Sequence, residues 1–300
     1  MSNVAASGPG AEPAVSTTVP EVRRKRTVLG RLLVNPLSAA GLILVVFAVF
    51  VALAAPLIAS YDPITMTPDL RLASPSFAHW MGTDDGGRDI LSRIIFGTRS
   101  SLLTAVGILA MASVAGTAIG LAAGYLGVWV DEVLMRVTDM FLAFPALVLA
   151  MGMAATLGPS LFNAMLATAV VWWPWYARLV RGQALSLKHE AFVDAARVSG
   201  ASAFRITVHH ILRNCTTPII VQMSLDIGYA ILTLSSLSFI GLGAQPPTPE
   251  WGSMVSIGRD YFLEQWWMVT FPGLAIFISV MAFNLLGDGL QEALSPRLRR

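Results

Sequence analysis

Residues 37–60 run for twenty-four positions without a charged side chain, and no other feature constrains the chain as tightly. As a helix rising about 1.5 Å per residue, this run crosses a hydrocarbon core of roughly 30 Å. It is too long and too uninterrupted for the core of a signal peptide, and it is expected to remain as a membrane anchor. A second run occupies residues 100–130, and a third, at 140–177, has no charge at all. Leu157-Gly158-Pro159-Ser160 divides that third run with a helix breaker and turn formers, so two spans are expected there. Spans near 217–241 and 268–286 bring the expected total to six.

Composition supports lipid as the main solvent. With 55% apolar residues, 13% charged residues and a mean hydropathy of +0.67, the chain has too little polar surface to coat a soluble globule of its size. The expected fold class is an all-α polytopic membrane protein. Under the six-span topology, fifteen of the 20 basic residues fall on one side. They are Arg23, Arg24, Lys25, Arg26, Arg31, Arg136, Arg178, Arg181, Lys188, Arg197, Arg205, Arg213, Arg297, Arg299 and Arg300. Arg71, Arg88, Arg93, Arg99 and Arg259 fall on the other. The excess marks the cytoplasmic side and puts both termini there.

The expected organisation is a disordered basic N-terminal tail (1–27), a first span with an external segment (28–99), a main membrane domain (100–290) with a cytoplasmic loop (181–214), and a short C-terminal tail (291–300). Trp172, Trp173, Trp175, Tyr176, Trp266 and Trp267 sit near expected span ends and read as headgroup anchors. The lone Cys215 has no internal partner for a disulfide and reads as an ordinary small residue.

No chemistry-bearing constellation stands out. A G-x-x-x-x-G-K-[ST] phosphate loop, an H-E-x-x-H zinc signature and a G-x-S-x-G elbow are all missing, so the chain is not expected to hydrolyse ATP or act as an enzyme. No nucleic-acid motif appears, and nucleic acid is not an expected partner. His209 and His210 would point about 100° apart on a helix, His79 and His189 stand alone, and no metal site is expected. Gly82-Thr83-Asp84-Asp85-Gly86-Gly87-Arg88-Asp89 reads as a hydrogen-bonded turn rather than an ion loop, because it lacks the ligand spacing and closing Glu of an EF-hand.

Three features carry more information. Ala112, Gly116, Gly120 and Gly124 recur every four residues and form a seam for close helix packing, within the chain or against a partner. Asp226 lies inside the fifth span, where a carboxylate faces either a translocation path or a polar partner in the bundle. The loop from Glu190 to Ser202 reads as a short helix stopped at Gly200, with Ser202 capping the next. Ala195 and Ala196 leave that helix a slim face that can seat in a partner's groove, and Asp194 and Arg197 can fix its register.

Asp194-Ala195-Ala196 with Gly200, followed by Leu212, resembles the E-A-A-x3-G signature of ABC importer permeases, with Asp for Glu and with Arg213 where Pro is usual. The stretches Gly82-Thr83-Asp84 with Gly87-Arg88-Asp89, Gln245-Pro246-Pro247-Thr248-Pro249-Glu250-Trp251-Gly252 and Phe283-Asn284-Leu285-Leu286-Gly287-Asp288-Gly289-Leu290 are similar to the C-type permeases of dipeptide, oligopeptide and nickel importers. That resemblance implies a type I importer permease fold in the bacterial inner membrane. The implied partners are a homologous second permease, two ATPase subunits that bind ATP and Mg, and an extracytoplasmic substrate-binding protein. This chain is expected to bind no cofactor itself. By the same resemblance, Asp194, Ala195, Ala196, Arg197, Gly200 and Ala201 form the ATPase-coupling helix and its exit. Asp84, Arg88, Asp89, Glu250 and Trp251 are candidate contacts for the binding protein, and Asp226 is the candidate path residue.

Overall fold

The computed structural model describes residues 28–294, and the expected tail at 1–27 and the last six residues lie outside them. Among the described residues the structure is helical, with turns and one isolated bridge between Thr83 and Asp89. In order, the helices are α1 (Val28–Leu32), α2 (Pro36–Ile58), α3 (Ile90–Tyr125), α4 (Val128–Leu142), α5 (Ala146–Leu157), α6 (Leu161–Leu187), α7 (Ala191–Val198), α8 (Ala203–Arg205), α9 (Leu212–Phe239), α10 (Trp251–Gly258) and α11 (Trp267–Leu294). A π-helical stretch, Ile206–Ile211, joins α8 to α9.

Local chemistry explains where the long helices begin. Asn35 accepts from the Leu37 N–H at 3.1 Å, with Pro36 in the first turn of α2. Asp89 accepts from the Ser92 N–H at 2.8 Å, and Ser160 accepts from the Asn163 N–H at 3.0 Å. Each cap satisfies a backbone donor that has no partner inside its helix.

Four helical stretches, Pro36–Ile58, Ile90–Tyr125, Ala203–Phe239 and Trp267–Leu294, are long and apolar enough to cross a membrane. The pair α4–α5 makes a fifth if it counts as one broken span. The two helices of that pair meet at 87°, and the break, at 143–145, falls inside the charge-free stretch from 140 to 157 that was expected to form one span. Pro145 is the cause: it has no N–H to donate, and it drives Phe144 out of helical conformation. α4 also carries Asp131, Glu132, Arg136 and Asp139, so only α5 is uniformly apolar.

Helices run through the expected divisions at 99/100, 181, 214 and 290/291, whereas the expected break at Leu157–Ser160 does separate α5 from α6. α3 begins ten residues before Ser100, α6 reaches Leu187, α9 starts at Leu212, and α11 continues to Leu294. Boundaries drawn at charged residues miss these ends, because a buried charge with partners does not stop a helix. Arg93, only 1% exposed, lies in the first turn of α3.

The small-residue seam closes within the chain, joining α3 to α6. A Cβ on Gly116 would stand 2.5 Å from the Trp173 carbonyl oxygen, and one on Gly120 would stand 2.5 Å from the Ala177 carbonyl oxygen. Backbone therefore meets backbone, and the gain is in dispersion contacts that lipid does not replace. The main core gathers Ile108, Leu109, Tyr176, Ile231, Leu234 and Trp251. A smaller core at the α7 end gathers Leu121, Val180, Val193, Ile206, Ile211 and Cys215.

The aromatic residues of α6 depart from expectation. Trp172 and Trp173 are buried, and Tyr176 is fully so; Trp175 alone of the four is exposed. Trp173 packs edge-on against Phe141 at 5.4 Å between ring centroids. α6 lies against α3, α5 and α9, so its rings meet neighbouring helices instead of headgroups. Trp267 is likewise buried and donates from Nε1 to the Thr83 carbonyl at 3.2 Å, whereas Trp266 is exposed.

Candidate functional sites

The first site is α7 and its flanks. Val193 points into the smaller core and is fully buried, which leaves the opposite face free. Val198 is 91% exposed there, with Phe204 and Ala195 also exposed. Gly200 takes φ +79°, the left-handed conformation glycine adopts at no steric cost. Its N–H donates to the Arg197 carbonyl and that of Ala201 donates to the Ala196 carbonyl, both at 3.0 Å, the pairing of a Schellman stop. Ser202 accepts from the Arg205 N–H at 3.3 Å and starts the next turn, as its position in the sequence implies.

The two alanines are not equivalent. Ala195 is exposed, but Ala196 is only partly so and packs with Ala201 against the smaller core. Asp194 and Arg197 pair with each other, Nη1 to Oδ1, at 2.8 Å. Arg197 also donates from Nη2 to the Lys188 carbonyl at 3.2 Å and lies over the Tyr125 ring at 5.9 Å from its centroid. The Tyr125 contact has no signal in the local sequence, since it joins residues more than seventy positions apart.

Asp226 has two protein partners. Tyr176 donates its hydroxyl to Oδ2 at 2.8 Å, and Gln222 donates from Nε2 to Oδ1 at 2.9 Å. Gln222 was findable, because residues four apart share a helix face. Tyr176 was not, because it reaches Asp226 from α6.

The third region is a polar lobe at the opposite end of α3 from α7. Asp84 is buried and accepts from the N–H groups of Gly86 and Arg88 at 2.8 and 2.9 Å, and from Arg88 Nε at 2.8 Å. Those bonds make the Gly82–Asp89 stretch the hydrogen-bonded turn its composition implies. Asp89 caps α3 and faces His79 Nδ1 at 2.9 Å, so His79 is paired rather than isolated. Arg93, which stood out in the sequence only as an external charge, ties the lobe together. Its Nη1 donates to the Pro63 carbonyl at 2.7 Å and to the Pro247 carbonyl at 3.3 Å, and its Nε pairs with Asp84 at 3.4 Å.

Glu250 caps α10 with both oxygens, accepting from the Gly252 and Ser253 N–H groups at 2.9 Å each. Complete burial pushes its carboxyl above the usual carboxylate range, and those two N–H groups oppose the shift. Trp251 donates from Nε1 to the Ile94 carbonyl at 3.1 Å and packs on Gly97. All five residues expected to face a binding protein, Asp84, Arg88, Asp89, Glu250 and Trp251, are thus inside the isolated chain. Polar residue types in a loop suggest exposure, but here their hydrogen bonds order the loop from within.

Comparison with known proteins gives the same direction. The family model described as binding-protein-dependent transport system inner membrane component matches residues 116–300, and that of the N-terminal TM domain of oligopeptide transport permease C matches residues 25–75. The chain is similar to the protein named "Probable D,D-dipeptide transport system permease protein DdpC" of Escherichia coli (strain K12), with 47% identity over 88% of each chain. It is 46% identical to the dipeptide transport system permease protein DppC of Alkalihalophilus pseudofirmus, over 88% of this chain and 87% of that one. It is also 46% identical to the DppC protein of Escherichia coli (strain K12), over 89% of this chain and 91% of that one. Long apolar helices, a helix-and-glycine loop with an exposed face and these relatives converge: the chain belongs to the binding-protein-dependent transport system inner membrane components, and is a multi-pass permease subunit of the ABC importer class.

Proposed function

We propose that this subunit pairs with a homologous permease to form a path for dipeptides or related small peptides, and that two ATPase subunits drive it through α7. The observation that carries the reading is the exposure of Ala195 and Val198 on α7, a helix anchored by Val193, and of Phe204 on α8 just after it. Apolar surface of this kind gains free energy when a partner removes it from water. The relatives named for dipeptide transport support the substrate class.

In this reading α7 lies in the cytoplasm, both termini lie on that side, and α6 is the additional span that brings the count to the six of a type I fold. ATP and Mg belong to the partner subunits, and this chain needs no cofactor. ATP binding draws the ATPases together, and the docked helices carry the permease pair from inward-facing to outward-facing. Each ligand must favour one state, since equal affinity shifts no population. The extracytoplasmic binding protein meets the outward-facing state at the polar lobe. Contact falls on exposed neighbours of the buried cluster, such as Trp80 and Leu263.

Ala195→Glu tests the docking. In membranes holding the complete importer, the variant should insert normally yet lose coupled uptake. Unchanged uptake per ATP hydrolysed would reject docking at this face.

A further inference from the structure

α7 touches more than the two helices it is spliced between. Arg197 lies over the Tyr125 ring, and on the same residue Lys188 Nζ sits 5.7 Å from the ring centroid and 3.4 Å from the Tyr125 carbonyl oxygen. Tyr125 is the last residue of α3, so a cation from the end of α6, Lys188, and one from the last turn of α7, Arg197, close on the end of a third helix. The Arg197 guanidinium is held in that position by Asp194 and the Lys188 carbonyl, which leaves it little freedom to swing away.

α3 is suited to carry a displacement. Its 36 residues form one continuous helix, about 54 Å long at about 1.5 Å per residue. Along its middle, Gly116 and Gly120 bring its backbone against that of α6, an interface too tightly packed to slide by fractions of an ångström without cost. At its far end, Asp89 and Arg93 lock it into the polar lobe. The covalent route from α7 to α9, by contrast, passes through the π-helical Ile206–Ile211 stretch.

We infer that Tyr125, Lys188 and Arg197 form a clamp that transmits movement of α7 directly to α3, so that α3 carries the ATPase signal to the polar lobe where the binding protein arrives. Tyr125 acts here as a positioning residue, touching neither nucleotide nor substrate. The inference rests on the proposed docking of α7. A cation over an aromatic face is favourable, and Arg adds a planar fork that Lys cannot reproduce.

The test uses the complete importer in proteoliposomes, with a dipeptide-loaded binding protein outside and ATP at the ATPase side. Tyr125→Leu removes the ring but keeps an apolar side chain beside the smaller core. It should leave ATPase co-purification intact and lower dipeptide taken up per ATP hydrolysed several-fold. Tyr125→Phe, which keeps the ring face, should restore the ratio to within about twofold of the unaltered chain. Arg197→Lys, which keeps the charge and loses the planar fork, supplies the same test if Tyr125→Leu does not fold, and its uptake ratio should fall likewise. An unaltered ratio in Tyr125→Leu, or equal loss in the Phe and Leu variants, would overturn the clamp while leaving α7 docking intact. Failure of the unaltered chain to retain any ATPase would instead overturn the docking, and the clamp with it.

Discussion

The hydroxyl of Tyr176 on α6 donates to the Asp226 carboxyl group on α9 at 2.8 Å, joining two helices in the apolar interior through a single side-chain hydrogen bond. Gln222 takes the other carboxyl oxygen. Tyr176→Phe removes one donor and leaves a partly buried carboxyl group underbonded, which should cost about 1–3 kcal/mol of stability. Thermal unfolding in detergent of Tyr176→Phe, Asp226→Asn and the double variant measures the coupling. Full additivity of the two single effects would mean that the bond contributes nothing.

At Gly120 the seam between α3 and α6 leaves no space for a methyl group. Gly120→Ala would force a Cβ to within 2.5 Å of the Ala177 carbonyl oxygen, and backbone rather than a flexible side chain must yield. Overpacking of this kind costs about 1–3 kcal/mol. Gly182→Ala, on α6 with nothing within 4 Å, is the control. It should be neutral or raise stability by roughly 0.5–1 kcal/mol through helix propensity alone. Equal melting temperatures for the two variants would contradict the close approach.

Burial raises the Glu250 carboxyl above its ordinary range, so the folded chain takes up this proton at a higher pH than the unfolded chain does. The associated stabilisation is fully present below the unfolded value of about 4.3 and is lost as pH rises through the raised folded value. Glu250→Gln cannot titrate. The stability of the unaltered chain relative to this variant should therefore fall as pH rises above the ordinary carboxylate range. Paired melting curves at increasing pH check the sign, and a rise in relative stability would contradict it.

Much of the α7 loop was legible from its residues. Gly200 as a helix stop and Ser202 as the following cap depend on local backbone chemistry, and both stand where their residue types imply. The Gly82–Asp89 turn was legible for the same reason. The break between α4 and α5 had a local signal in Pro145, yet a long charge-free run masked it. The Arg93 bridge and the Tyr125 clamp left no such trace, because their partners lie far away in sequence.

By itself, the sequence determined that apolar helices cross lipid, where the short helices stop, and which family's motifs the chain carries. Charge-free length, caps, glycines and motif residues act over a few positions, so these properties need no fold to be read. Only the tertiary structure decided which apolar face meets protein and which meets lipid. It turned Trp172, Trp173, Ala196 and Trp251 inward, and left Ala195 and Val198 on the surface. The physical reason is that lipid tails are as apolar as leucine, so hydrophobicity does not distinguish a helix's packed side from its bilayer side. Close backbone approach and partnered polar groups make that distinction, and both require a second helix to be in place.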